Sequence, residues 1–346
     1  MKTLGITGKV GKIRPLFLRK YAMILVPTVP QHKTRERGAL YVDKYNKKKN
    51  GNKRVAKYTS KHLPVKSQDR VCSCGNWIQF FADHEVNKLK VRKANFCKNR
   101  FCPMCAWRLA HKEAMQVDVL MKYLESEHDK AFIFATFTAP NVLCNNLADE
   151  ITRYNKAFKK MMERKVMLNI SLGYVRKLEV TYNSKRRDYH PHFHVLFAVS
   201  KSYFKSRHYM SKGEWLNLWR DVMGDPLITQ VDVRKVYKNR SREVNEIAKY
   251  AAKDSHYLHS QAVFDVFYKA LKGRQIITFN GMFAEANVKY KAGLLDKYKT
   301  EDKTEYVWLL LYRWLGKEYA EYCRQQISKE EYRQLKIESV DEMAIG

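Results

Sequence analysis

Residues 189–197, YHPHFHVLF, set three imidazoles at alternate positions in what otherwise reads as a β-strand. Side chains alternate along a strand, so His192 and His194 point to one face while Phe193, Val195 and Phe197 point to the other. Neighbours on one face are about 6.5–7 Å apart at the backbone, and two imidazoles leaning together can share a metal ion at about 2.1 Å each. His190 lies on the same face but precedes Pro191 at the start of the strand, which makes it the weaker ligand. The preceding segment, YVRKLEVTYN, is a second strand joined through the polar stretch SKRRDY. Pairing the two strands about the centre of that stretch sets Glu179 opposite His192. Two imidazoles and one carboxylate leave coordination positions open for substrate oxygens, the pattern of a working site for Mg²⁺ or Mn²⁺.

A second donor set lies upstream. Five of the seven cysteines fall between Cys72 and Cys105. The early apolar run YAMILVP is too short to span a bilayer, so a cytoplasmic and reducing location is expected, which argues against disulfides. Cys97-x₄-Cys102-x₂-Cys105, with Cys74 upstream, can supply four thiolates to a tetrahedral zinc ion, and Cys72 could replace Cys74. NWIQFF and KLKVRKANF between the halves read as a hairpin that brings Cys74 toward the knuckle. Arg92, Lys93, Lys98, Arg100 and Arg108 surround it and suggest a DNA-contacting module.

The third constellation is helical. In EVNEIAKYAAKDSHY, Glu246, Tyr250 and Lys253 are spaced i, i+4, i+7 and share one helical face. A tyrosine attacking a metal-polarised phosphodiester forms a phosphotyrosine and frees a 3′ hydroxyl, conserving the energy of the bond. The phenol, with a pKa of about 10, needs a cation nearby, and Lys253 can serve the phosphate or the phenolate. Tyr257, seven residues on, shares the face and is not excluded by spacing.

These groups need a scaffold. Ala110, Ala114, Val117, Met121 and Leu124 predict a helix leading out of the cysteine segment, followed by a strand at 131–141. Leu147, Ile151, Tyr154, Phe158 and Met161 share a face of the next helix, and the two strands described above come after it. A helix opens at Ser211 with a capping box to Glu214 and stops at Gly224, then LITQVDVRKVY is a strand and REVNEIAKYAAKD a helix. The order β-α-β-β-α-β predicts an α+β fold with a ferredoxin-like (split βαβ) antiparallel sheet, the histidine strand in its middle. Beyond residue 270, GRQIITFNGMFAEA suggests a hairpin and YVWLLLYRWLGKEYAEYCRQQ an aromatic-rich helix. The expected division is a mobile basic arm at 1–66, rich in runs such as KYNKKKNGNKR, a zinc-binding module at 67–112, the sheet domain at 113–260, and a C-terminal hairpin and helical region at 261–346.

Lys and Arg number 66 against 35 Asp and Glu, a net charge of +31 that calls for a polyanion. The basic residues are spread along the chain instead of lining one amphipathic helix, which favours nucleic acid over a membrane surface. FATFTAPN, Glu179, HPHFHVLF and EIAKYAAK resemble, in that order, the motifs of the HUH superfamily of single-strand endonucleases, and most nearly the rolling-circle replication initiators of small bacterial plasmids. FCKNRFCPMCAWR and GRQIITFNGMF look like that plasmid family too, so the resemblance covers about residues 66–290. It implies that 113–260 is an HUH-type endonuclease domain, that Tyr250 is the nucleophile and that Glu246 activates water for a terminating hydrolysis. The implied partners are plasmid origin DNA, double- and single-stranded, with a host helicase and DNA polymerase in the bacterial cytoplasm; homo-oligomerisation stays open. Rival readings are an HUH transposase or relaxase, which a helicase domain or paired tyrosines would favour, and a non-catalytic zinc-containing DNA-binding protein. The first lacks those features here; against the second stand His192, His194 and Tyr250.

Overall fold

The computed structural model describes residues 37–237, 239–248 and 252–341. In chain order the elements are α1 (Arg37–Thr59), α2 (Val65–Ser73), β1 (Trp77–Ala82), β2 (Leu89–Ala94), α3 (Pro103–His128), β3 (Lys130–Thr138), α4 (Leu147–Met162), α5 (Lys165–Ile170), β4 (Gly173–Asn183) and β5 (Asp188–Ser200). Then come α6 (Lys212–Met223), β6 (Val231–Lys235), α7 (Ser241–Ala248), the single turn α8 (Asp254–Tyr257), α9 (Gln261–Leu271), β7 (Ile277–Gly281), α10 (Met282–Lys291), β8 (Trp308–Trp314), β9 (Tyr319–Gln326) and α11 (Lys329–Asp341). The described residues form two compact units, a larger one within 48–74 and 96–302 and a smaller one within 37–47, 75–95 and 303–341.

The larger unit is α+β, built on an antiparallel sheet of order β6-β3-β5-β4-β7. The histidine strand β5 lies in the middle. Two crossovers make this order: α4 and α5 carry the chain from β3 to β4, and α6 carries it from β5 to β6. Leu147, Ile151, Tyr154, Phe158 and Met161 of α4 are all buried, as their spacing predicts. They belong to an aromatic layer in which Phe158 meets Phe193 edge-on at 5.7 Å and Tyr154 meets Trp219 at 5.6 Å. Ser211 accepts from the Glu214 backbone and Glu214 reaches back, so the expected capping box starts α6. The opposite face, which carries His192 and His194, is covered by Val117, Leu120 and Leu124 of α3, Ile247 of α7 and Phe283 of α10.

Three expectations are corrected. The run KYNKKKNGNKR is not a mobile arm: it lies within α1, where Val42, Tyr45, Lys49, Asn52, Val55 and Thr59 form a buried stripe at helical spacing. Polar side chains hide that stripe from a hydropathy reading, because Asn52 donates to the Val71 carbonyl and Thr59 to that of Val55. Residues 1–36 of the expected arm lie outside the described residues. GRQIITFNGMF is one strand, not a hairpin; β7 pairs with β4, and the chain turns straight into α10 at Gly281. A Cβ at Gly281, whose φ is +52°, would lie 2.5 Å from the Leu172 carbonyl oxygen, so only glycine allows this approach.

The aromatic-rich C-terminal helix is instead the hairpin β8–β9, turned at Gly316 with φ +93°. Trp, Tyr and Leu side chains suit a pleated surface, and β8 pairs along its length with β1, far away in sequence. That partnership decides the conformation. The smaller unit thus carries a second antiparallel sheet, β2-β1-β8-β9, with Phe80 against Tyr45 of α1 and Phe81 against Tyr332 of α11. Among the described residues no helix is long and apolar enough to cross a membrane.

Candidate active site and metal centres

Glu179 pairs directly with His192 across β4 and β5, the register that the sequence predicts. Nε2 of His192 lies 3.2 Å and Nε2 of His194 lies 3.0 Å from the same Glu179 oxygen, Oε2. Cis donors about 2.1 Å from one octahedral ion stand about 3 Å apart, so the three atoms have the spacing of a ligand set. The outer nitrogens are engaged as well: His192 Nδ1 donates to the His190 carbonyl at 3.3 Å, and His194 Nδ1 meets Thr136 Oγ1 at 3.2 Å. Anchoring Nδ1 aims Nε2 inward and fixes the ring. The donor set fits a divalent ion.

Burial alone would raise the Glu179 pKa, but hydrogen bonds from His192 and His194 outweigh it and hold the carboxylate well below its ordinary range. Burial lowers the His194 pKa, opposed by Glu179. His190 stands apart, its Nε2 buried without a hydrogen-bond partner. Burial, then the neighbouring His192, brings its pKa down to about 4.

α7 approaches this trio, with Glu246 Oε2 3.8 Å from His194 Nε2. Tyr250 lies outside the described residues. Lys253 is not on α7: it is the extended N-cap of α8, so the expected face shared by Glu246 and Lys253 along one unbroken helix does not form. Lys253 stands instead at a helix start, where its backbone, with ψ 142°, has left helical geometry. Tyr257 is 2% exposed and its hydroxyl donates to the Phe101 carbonyl at 2.8 Å, which removes it as a competing nucleophile.

Cys74, Cys97, Cys102 and Cys105 converge, all buried. Three of the sulfur pairs stand 3.5–3.6 Å apart, and all four sulfurs lie within 4.8 Å of one another, too far for disulfides and close to the roughly 3.8 Å edge of a tetrahedron with Zn–S of about 2.3 Å. Cys72 is exposed and outside the group. Backbone N–H groups of Cys97 and Lys98 point at the sulfurs of Cys74 and Cys105, both at 3.3 Å. Burial pushes the Cys102 thiol up, whereas Cys105 is pulled far down because the thiols of Cys102, Cys74 and Cys97 converge on its sulfur.

Of the five cations expected around the knuckle, Arg92 is buried and donates to Gln79, Arg100 donates to the carbonyls of Leu271 and Arg274, and Arg108 lies over the Phe96 ring. Lys98 is exposed and Lys93 partly so. Sequence reasoning missed Lys49, buried against the cysteine group with its ammonium donating to the Cys74 carbonyl at 2.5 Å. It also missed Thr136 and the buried pair of Lys177 with Glu113, which ties α3 to β4 two residues from Glu179. Lys49 sits in a charge run and gives no signal; Thr136 could have been found as the cross-strand neighbour of His194.

The family model described as "Replication protein" matches residues 88–320. This chain belongs to that family. Among its relatives, "Protein rep" of Staphylococcus aureus is 50% identical over 218 residues, which is 63% of this chain and 95% of the relative. "Protein rep" of a Bacillus species is 33% identical over 253 residues, covering 66% of this chain and 82% of the relative. That of Streptococcus pneumoniae is 29% identical over 248 residues, covering 68% and 77%. No solved structure matches. The resemblance to rolling-circle replication initiators of small bacterial plasmids, first read from motif order, stands.

Proposed function

We propose that this replication initiator works as an HUH-type nickase on a ferredoxin-like core, in the bacterial cytoplasm, on plasmid origin DNA. The carrying observation is the convergence of two Nε2 atoms and one carboxylate oxygen on the central strand pair, with no further protein ligand in the group among the described residues. In this reading Glu179, His192 and His194 hold a divalent ion, Mg²⁺ or Mn²⁺, whose contribution when bound is to neutralise charge on the scissile phosphate. The Tyr250 phenolate oxygen attacks phosphorus, the P–O3′ bond breaks, and the 3′ oxygen leaves to take up a proton. The bond energy is kept in a 5′-phosphotyrosine, and a host helicase and polymerase extend from the 3′ end.

Glu246, close to His194, serves as general base for the water that ends the round. Lys253 helps bind phosphate from the start of α8. The four cysteines hold a structural zinc, and Lys93 and Lys98 contact DNA. Incubation with a supercoiled plasmid carrying its own gene should give a nick with protein on the 5′ end. Tyr250→Phe should bind but form no adduct, and an adduct retained by that variant overturns the nucleophile assignment. Glu246→Ala should nick normally and release products longer than unit length.

A further inference from the structure

On the face of the five-stranded sheet opposite the histidines, a cleft of about 520 Å³ is lined by α4, β4 and the exposed Leu168 of α5. Arg176 stands in it. Strand alternation puts this residue on the Phe193 face, away from Glu179. Its guanidinium carbon lies 4.4 Å from the Phe193 ring centroid and 4.8 Å from that of Phe158. Among the described residues it makes no hydrogen bond or ion pair, although it is a partly buried cation whose pKa burial lowers. Lys159 and Asn155, one turn apart on α4, line the same cleft. The one carboxylate among the lining residues, Glu163, sits 3.9 Å from Lys159 and leaves Arg176 uncompensated.

A guanidinium is a rigid planar fork of donors suited to phosphate. The two rings hold its plane and shed part of its water, while its donors are left to the cleft. The net charge of +31 makes a polyanion the ligand that supplies such phosphates. The cleft is also large enough for a phosphate with its sugar. Only about 10 Å of strand separates Arg176 from Glu179.

We propose that this cleft is a second nucleic-acid site, holding a phosphate of a single DNA strand with Arg176 as its forked anchor and Lys159 as the second cation. The inference rests on the DNA-nicking reading and adds a strand-holding position on the far face of the same sheet. The test is fluorescence anisotropy of a labelled single-stranded 20-nucleotide probe titrated across a range of KCl concentrations. The wild type should lose affinity steeply with salt, and a flat response would sink the DNA reading itself.

Given that slope, Arg176→Gln should bind roughly tenfold more weakly, with the salt slope reduced by about 0.7, the share of one phosphate no longer neutralised. Lys159 is exposed, so Lys159→Gln keeps the fold and should lower the slope as well; this variant decides the matter if Arg176→Gln fails to fold. Arg176→Lys should keep the slope but recover only part of the affinity, because a point charge lacks the fork. Thymidine monophosphate at millimolar concentration should displace the probe no better than inorganic phosphate. Preferential displacement would make this a free-nucleotide pocket and overturn the strand assignment. An unchanged slope in folded variants, even with a lowered Tm, would reduce Arg176 to a packing element.

Discussion

The larger unit holds two buried donor clusters built on opposite plans. The four sulfurs close on one another, with backbone N–H groups behind them, leaving no position for an outside ligand. The Glu179, His192 and His194 cluster is three-sided, its outer nitrogens braced by Thr136 and a carbonyl, with Glu246 nearby. Burial is common to both; ligand number and softness differ. Soft, complete shells suit a structural ion and hard, incomplete ones suit chemistry on a phosphate. In the proposed reading, the choice of donor atoms separates holding a fold from working on a substrate.

The sharpest test of that division is Cys102→Ser. A closed zinc shell contributes folding energy directly, so this variant should lose zinc by elemental analysis and lower Tm by more than about 10 °C in a thermal melt. Zinc-free wild type of unchanged stability would break the comparison. Next in size is the pair His192→Ala and His194→Ala, expected to reduce plasmid nicking more than about a thousandfold while zinc content stays at one ion per chain. Brief chelation should likewise stop nicking, and Mn²⁺ should restore it without touching the cysteine-bound metal.

A smaller effect is expected from Thr136→Val, which leaves the ligands and removes the brace on His194. Metal affinity, read from the Mn²⁺ dependence of nicking, should fall about tenfold; no change would mean that the strand alone orients the ring. The smallest concerns His190, the strand's third imidazole, which stays outside the cluster. Its folded pKa of about 4 lies below its ordinary 6.5, so the unfolded chain takes up a proton first as the pH falls. Stability from this group is therefore present above pH 6.5 and drains away between about 6.5 and 4. His190→Asn should flatten that part of the pH–stability curve, and an unchanged slope would assign it to other groups.

Local pattern served the strand and helix faces well. The His-x-His alternation, the polar turn that sets Glu179 against His192, the α4 stripe and the Ser211 capping box each depend on residues close in sequence. What escaped depends on distant partners. Nothing near YVWLLLYRWL announces that its neighbour is a strand more than two hundred residues earlier. Lys49 and Asn52 look solvated until α2 and the cysteines arrive to take their donors. Lys253 is extended although the sequence around it is free of glycine and proline, where spacing alone carries the helix too far.

The cysteine cluster also has a topological consequence. The chain leaves the larger unit after Cys74 and re-enters it at Phe96, and the sulfurs of Cys74 and Cys97 pin both crossings. Residues 75–95 thus leave and return beside the same cysteine group. Closing such a loop costs entropy only logarithmically, about 0.6 kcal/mol for each doubling of its length. Insertions or deletions at the tip between Ala82 and Leu89 should therefore be cheap for the fold that bears the histidines, making this turn a place where length can drift while the five-stranded sheet stays constant.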